Sequence, residues 1–195
     1  MPIDIIKQFN WVDIFIVIIV FRILYISLKN GLAKVFFKLL GTLTAIYISL
    51  HYYIVICDFI RKYIPVEKFP LEFLDFLVFT VLAILGYLVF VLLRSIFGCF
   101  IKMEAVPKLN KWGGLVLGIL RSFLLAGLII FMLAISSIGY FKKSTENSYF
   151  GKRFFNIAPN TYSWLWNAVA SKFMTAEKFN NKVTELQQDF APHTF

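Results

Sequence analysis

Four long apolar runs, at 12–28, 35–56, 76–93 and 113–140, alternate with shorter polar segments. A bilayer core about 30 Å thick takes about 20 mostly apolar residues as a helix. The third run, Phe76 to Leu93, carries no charge, and the fourth carries only Arg121. Lys38 and His51 lie near the ends of the second. The first, 17 residues with Asp13 and Arg22, is the least uniform; it reads as a spanning helix, with a re-entrant or interfacial segment as the alternative. The pattern predicts an all-α polytopic integral membrane protein, with a four-helix membrane domain over 1–140 and a polar C-terminal tail over 141–195.

Pro65 and Pro70 end helices in the second connection, and Pro107 lies in the third. In the tail, Tyr162, Leu165, Trp166, Val169 and Phe173 share an arc of about 100° on a helix. Phe179, Val183, Leu186 and Phe190 either continue that helix or begin another after Asn180 and Asn181. The expectation is an amphipathic helix over about 161–190 lying on the membrane surface; packing on the bundle is the other reading. The first run leads into Leu28, Lys29 and Asn30 without a small-x-small cleavage site, so it is expected to remain in the mature protein.

Composition sharpens this picture. Apolar residues make up 59% and charged residues 16%, against roughly 45–50% and about 25% in soluble domains, so too few solvating side chains exist to cover one soluble globule. The net charge of +9 comes from residues flanking the apolar runs instead of forming a stripe, which argues against nucleic acid as a partner. Lys29, Lys34, Lys38, Arg94, Lys102, Lys108 and Lys111 crowd one side against Glu104 alone. Lys7, Arg61, Lys62, Lys68, Lys142, Lys143, Lys152 and Arg153 are spread over longer, acid-diluted segments on the other. Charge density therefore places the first and third connections in the cytoplasm and both termini outside.

Charges within apolar runs are the first candidates for function. Asp13 and Arg22 are nine residues apart, on opposite sides of a helix, and cannot pair with each other. Asp13 reads first as an interfacial helix-start residue, with a polar contact in the bundle or to a partner as the alternative. Asp75 lies near the outer end of its run, and Arg22 and Arg121 are expected to snorkel to lipid phosphate. Gly114, Gly118, Ser122 and Ala126 recur at four-residue spacing, as do Gly41, Ala45 and Ser49. Both sets read as close-packing ridges, joining the second and fourth helices of one chain or two chains to each other. His51 and His193 have no neighbours at ligand spacing, and Cys57 and Cys99 fall on opposite sides of the membrane. No catalytic, metal or cofactor site is expected.

The same residues resemble a known family. Asn10, Trp11 and Asp13, then Lys29, Asn30 and Gly31 leading to Lys34, Lys38 and Gly41, and above all Leu109, Asn110, Lys111, Trp112, Gly113, Gly114, Gly118 and Arg121, resemble the bacterial colicin V production proteins over about residues 10–140. Arg22 and Ser122 depart from the family pattern, standing where small residues or glycine are common. The resemblance implies a four-helix inner-membrane protein tied to production of a secreted peptide toxin and to envelope upkeep, with no catalytic residues in its membrane part. Together these readings lead to a non-enzymatic accessory protein whose basic loops meet anionic lipid and whose seams meet membrane or envelope partners, self-association among them. The alternative is a small transporter or channel for a peptide or solute, for which Thr42, Thr44, Ser49, Thr80 and Ser95 are thin material for a polar path.

Overall fold

The computed structural model describes residues 10–63, 71–100, 107–136, 138–175 and 177–190. Its elements among the described residues are all helical. Three helices among the described residues are long and apolar enough to cross a membrane: α1 (Trp11–Tyr63), α2 (Leu71–Phe100) and α3 (Pro107–Ile135). His193, Lys7, Lys68, Lys102, Glu104, Pro65 and Pro70 lie outside the described residues, as does the side chain of Cys99.

The first two predicted runs and the polar link between them all fall within α1. Its helical backbone breaks at one residue, Gly31, with φ 74° and ψ 168°. That region favours glycine because a Cβ would collide with its own backbone. The two arms, 11–30 and 32–63, run in opposite directions, as their neighbours show. Going up α3, Gly114 meets Gly31 and Gly118 meets Ser27, so the first arm is antiparallel to α3. The second arm meets α2 in descending order, Ala45 at Gly86, Tyr53 at Phe79 and Arg61 at Asp75. α2 is itself antiparallel to α3, with Tyr87 at Arg121 and Thr80 at Met132. The arms therefore form a hairpin, and α1 to α3 supply four helical arms.

Asn110 of α3 secures the reversal. Leu32 N–H, left without a partner where the second arm restarts, donates to Asn110 Oδ1 at 2.6 Å. A Cβ on Gly31 would stand 2.5 Å from that same oxygen, and one on Gly114 would stand 3.1 Å from the Ser27 carbonyl oxygen. Thus Gly114 and Gly118 serve the seam between α3 and the first arm, while Gly41 and Ala45 serve the seam between the second arm and α2. The two ridges do not interlock with each other as expected. Each allows a different backbone to approach, which is what small residues do where lipid supplies no hydrophobic drive. Ser122, Ala126 and Ser49 are buried, and the serine hydroxyls turn back to carbonyls of their own helices.

The fourth run ends as α3 at Ile135 and not at Tyr140. The tail continues through α4 (Gly139–Glu146), α5 (Tyr149–Phe154) and α6 (Ile157–Leu165), then a π-helical turn (Trp166–Ala170), a last turn α7 (Ser171–Phe173) and finally α8 (Asn181–Phe190). The expected helix over 161–190 is broken at Met174, whose φ −111° and ψ 71° leave the helix. The tail packs back along the bundle. Ile157 fills the space above Gly127, and the Phe155 ring lies 5.4 Å from Phe131 and 4.0 Å from Phe190. Tyr162 is fully buried while Phe173 is 82% exposed, so the predicted apolar arc is split and its inner part faces α1 instead of the membrane surface.

The α3 seam yields a direct test. A side chain at 118 would begin 2.5 Å from the Ser27 side chain, so Gly118→Leu must push the first arm away from α3, at a cost of about 1–3 kcal/mol. Leu117→Ala, at a half-buried position, should cost less. Monodisperse yield in mild detergent should fall sharply for Gly118→Leu and modestly for Leu117→Ala; equal yields would contradict the seam.

Candidate functional site

Asp13 opens α1 in a reciprocal cap. Asn10 Oδ1 accepts from Val12 N–H at 2.8 Å, and Asp13 Oδ2 accepts from Asn10 N–H at 2.9 Å. The other oxygen, Oδ1, accepts from the Ser148 hydroxyl at 2.6 Å and Phe150 N–H at 2.8 Å, at the start of α5. One carboxylate thus lies at the amino ends of two helices, where exposed N–H groups favour negative charge. Asn10 Nδ2 also donates to the Ser144 carbonyl at 2.6 Å. Asp13 is fully buried: besides capping the start of α1 it makes the polar contact within the bundle that is its alternative reading, and it ties the tail to the first arm.

A second knot holds the far part of the tail. Asn180 N–H donates to the Tyr162 hydroxyl at 3.1 Å, and that hydroxyl lies 2.8 Å from His51 Nδ1. His51 Nε2 is 2.8 Å from Glu177 Oε2, and Tyr52 donates to Glu177 Oε1 at 2.8 Å. Since Tyr162 accepts from the amide, its own proton is free to go to Nδ1, which leaves Nε2 to donate to the carboxylate. Burial pushes the Tyr162 phenol up to about 12, so it remains a donor near neutrality. Asn180 Nδ2 adds a bond to the Leu50 carbonyl at 2.7 Å. His51, isolated in sequence, is therefore fully engaged, and by residues more than 100 positions away.

The other charges take different places. Asp75 pairs with Arg61 at 2.7 Å. Arg22 is exposed on the side of the first arm. Arg121 is not a snorkelling surface residue: it is only 8% exposed, at the middle of α3, and donates to the Tyr87 hydroxyl at 3.2 Å. A cleft of about 500 Å³ opens at the end of α3, lined also by α1, α2, α4 and α8. Arg61, Lys142 and Lys182 line it together with Asp75, Glu185 and Asp189, above the buried Cys57. Opposite charges at several points along a concave surface suit a polar, zwitterionic chain better than a small apolar ligand. Among the described residues no group of three His, Cys, Asp or Glu is placed to hold a metal.

Residues 12–159 match the family model described as colicin V production protein. The chain belongs to that family. The match begins one residue before Asp13 and runs past Ser148 and Phe150, so Asp13 and its tail partners lie inside the part this chain shares with the colicin V production family, while Asn10 lies just before it. It covers His51 and Arg121 as well, but stops short of Tyr162 and Glu177. No curated protein and no solved structure matches the chain. The resemblance seen in sequence stopped at about residue 140 because the tail has few motifs. The cue that was missed is Ser148, a capping residue directly before Tyr149, whose hydroxyl accepts from Gly151 N–H at 2.9 Å.

Asp13→Ala would leave buried N–H and hydroxyl donors unpaired, each costing about 1–3 kcal/mol. It should release the tail, seen as faster protease cleavage across 136–160, whereas His51→Phe should loosen only the segment around 174–180. Hydrogen exchange resolved by residue would separate the two; equal protection in both variants would show that neither group holds the tail.

Proposed function

We propose that the chain crosses the bacterial inner membrane four times with both termini outside. In this reading it performs no bond-making chemistry and serves as an accessory to toxin production and envelope machinery. The observation that carries the reading is the charge-lined cleft, which lies at the end of the bundle where the tail returns and α1 begins. A polypeptide segment bearing both signs of charge fits it. The hairpin at Gly31 supports the four crossings: the first arm is 20 residues long, about 30 Å of helix, and the second is longer. The basic crowding of Lys29, Lys34, Lys108 and Lys111 supports placing the Gly31 end in the cytoplasm.

A non-enzymatic role is supported by how the nearest thing to a relay is used. Both nitrogens of His51 are occupied, and the Tyr162 hydroxyl already accepts from a backbone amide inside the protein. This is the arrangement of a lock between tail and bundle, not of a nucleophile presented to substrate.

Toxin secretion from a strain lacking the protein, complemented with variants, tests the reading. The double substitution Lys142→Glu and Lys182→Glu should reduce secreted colicin V several-fold while membrane abundance stays unchanged. Full complementation by that variant would overturn the cleft as the working surface. Selective solute flux in liposomes containing the purified protein would replace the accessory reading with that of a transporter.

A further inference from the structure

A second cavity lies within the bundle, about 310 Å³ in volume, between the second arm of α1, α2 and α3. Its size is at the low end for ligand pockets, roughly 300–1,000 Å³. Most of the wall is apolar, with Ala83 from α2 facing Leu125, Leu128 and Met132 from α3. Its threonine hydroxyls are already used: Thr42 donates to the Lys38 carbonyl and Thr80 to the Phe76 carbonyl. At one end stands Arg121.

The guanidinium has five N–H donors and carries a full charge. One nitrogen donates to the neutral Tyr87 hydroxyl, and the Tyr87 ring is 5.6 Å from its carbon. Nε is buried and has no partner among the described residues. Arg121 has no ion pair among the described residues either, and Lys38, which feels its charge, is another cation. An unpaired charge in apolar surroundings costs several kcal/mol, and the ordinary remedy is an anion. A water-soluble anion would have to leave water to get there. A lipid brings an acyl chain that never leaves an apolar medium, since Ile84 and Leu88 of α2, in the cavity wall, turn 42–54% of their surface outward.

We infer that this cavity binds one acyl chain of an anionic phospholipid, with the headgroup phosphate drawn in to Arg121. Lys38, close enough to feel the charges of both Arg121 and Lys34, adds positive potential near Arg121 that favours the phosphate there. From Arg121 to Met132 the apolar wall follows 11 residues of α3, about 16 Å, room for the upper part of one chain while its end and the second chain stay in the bilayer. This site is distinct from the charge-lined cleft and from general attraction of lipid to basic loops. It rests on the chain lying in a bilayer, which resistance to alkaline carbonate extraction checks independently.

Native mass spectrometry from mixed micelles tests it, with phosphatidylglycerol and phosphatidylcholine offered at equal concentration. One phosphatidylglycerol should be retained per chain and phosphatidylcholine should not. Arg121→Gln should lower retention by at least about tenfold, the loss expected for charge-assisted hydrogen bonds. Ala83→Phe, which fills the cavity without touching a charge, should lower it too, so the test survives if Arg121→Gln fails to fold. Lys111→Gln, at an exposed position beyond the cavity, should leave retention unchanged. Equal retention of the two lipids, or an equal loss in Lys111→Gln, would show only annular binding and overturn the proposal. Displacement of the lipid by excess inorganic phosphate would assign Arg121 to a soluble anion and overturn it as well.

Discussion

The approach of backbone to backbone around Gly31 is the constraint from which the rest of the arrangement follows. A single residue with positive φ turns α1 back on itself, and this works only because Gly114 and Gly118 allow α3 to lie against the turn. In lipid, helices gain little by hiding apolar surface from one another, so the shape of the contact must hold them. Asn110 then supplies what glycine cannot, a hydrogen-bond acceptor for the N–H group exposed by the break. Glycine permits the reversal and asparagine satisfies it.

Once the arms are antiparallel, Asp13 and the end of α3 fall at the same end of the bundle, and the tail leaves α3 close to a buried carboxylate. Charges in this protein are tolerated in three distinct ways. Asp13 is surrounded by helix-terminal N–H groups and hydroxyls, Asp75 is paired with Arg61, and Arg121 borders a cavity with one neutral partner. The first two are complete in themselves and read as architecture. The third is incomplete, and incompleteness in a buried charge is what directs attention to a ligand. The His51 knot extends the architecture into the tail, so the tail is part of the fold beyond the shared family segment.

The apolar runs, their helical state and the small-residue ridges were readable from the sequence because they depend on local composition and period. The partners of the ridges were not. Gly118 and Gly41 look alike in sequence, yet one accommodates Ser27 and the other Tyr87, a choice made by the global path of the chain. Lys29 to Lys34 looked like a loop because polar residues and glycine usually mark one; here helix persists to either side of a one-residue break. Asp13 looked interfacial because its partners, Ser148 and Phe150, lie 135 and 137 positions away. His51 looked isolated for the same reason. The amphipathic arc in the tail was real but incomplete, because Tyr162 is used by the bundle while Phe173 is not.

The hairpin at Gly31 is best tested by the sidedness of single cysteines placed at exposed positions on either end of the bundle, in a chain lacking Cys57 and Cys99. With an impermeant thiol reagent on intact spheroplasts, Lys152→Cys and Lys178→Cys should label, while Lys34→Cys and Lys111→Cys should label only after the membrane is opened. If Lys34→Cys labelled together with Lys152→Cys, α1 would not turn back within the membrane, and the account of four crossings closed by the Gly31 reversal would be wrong.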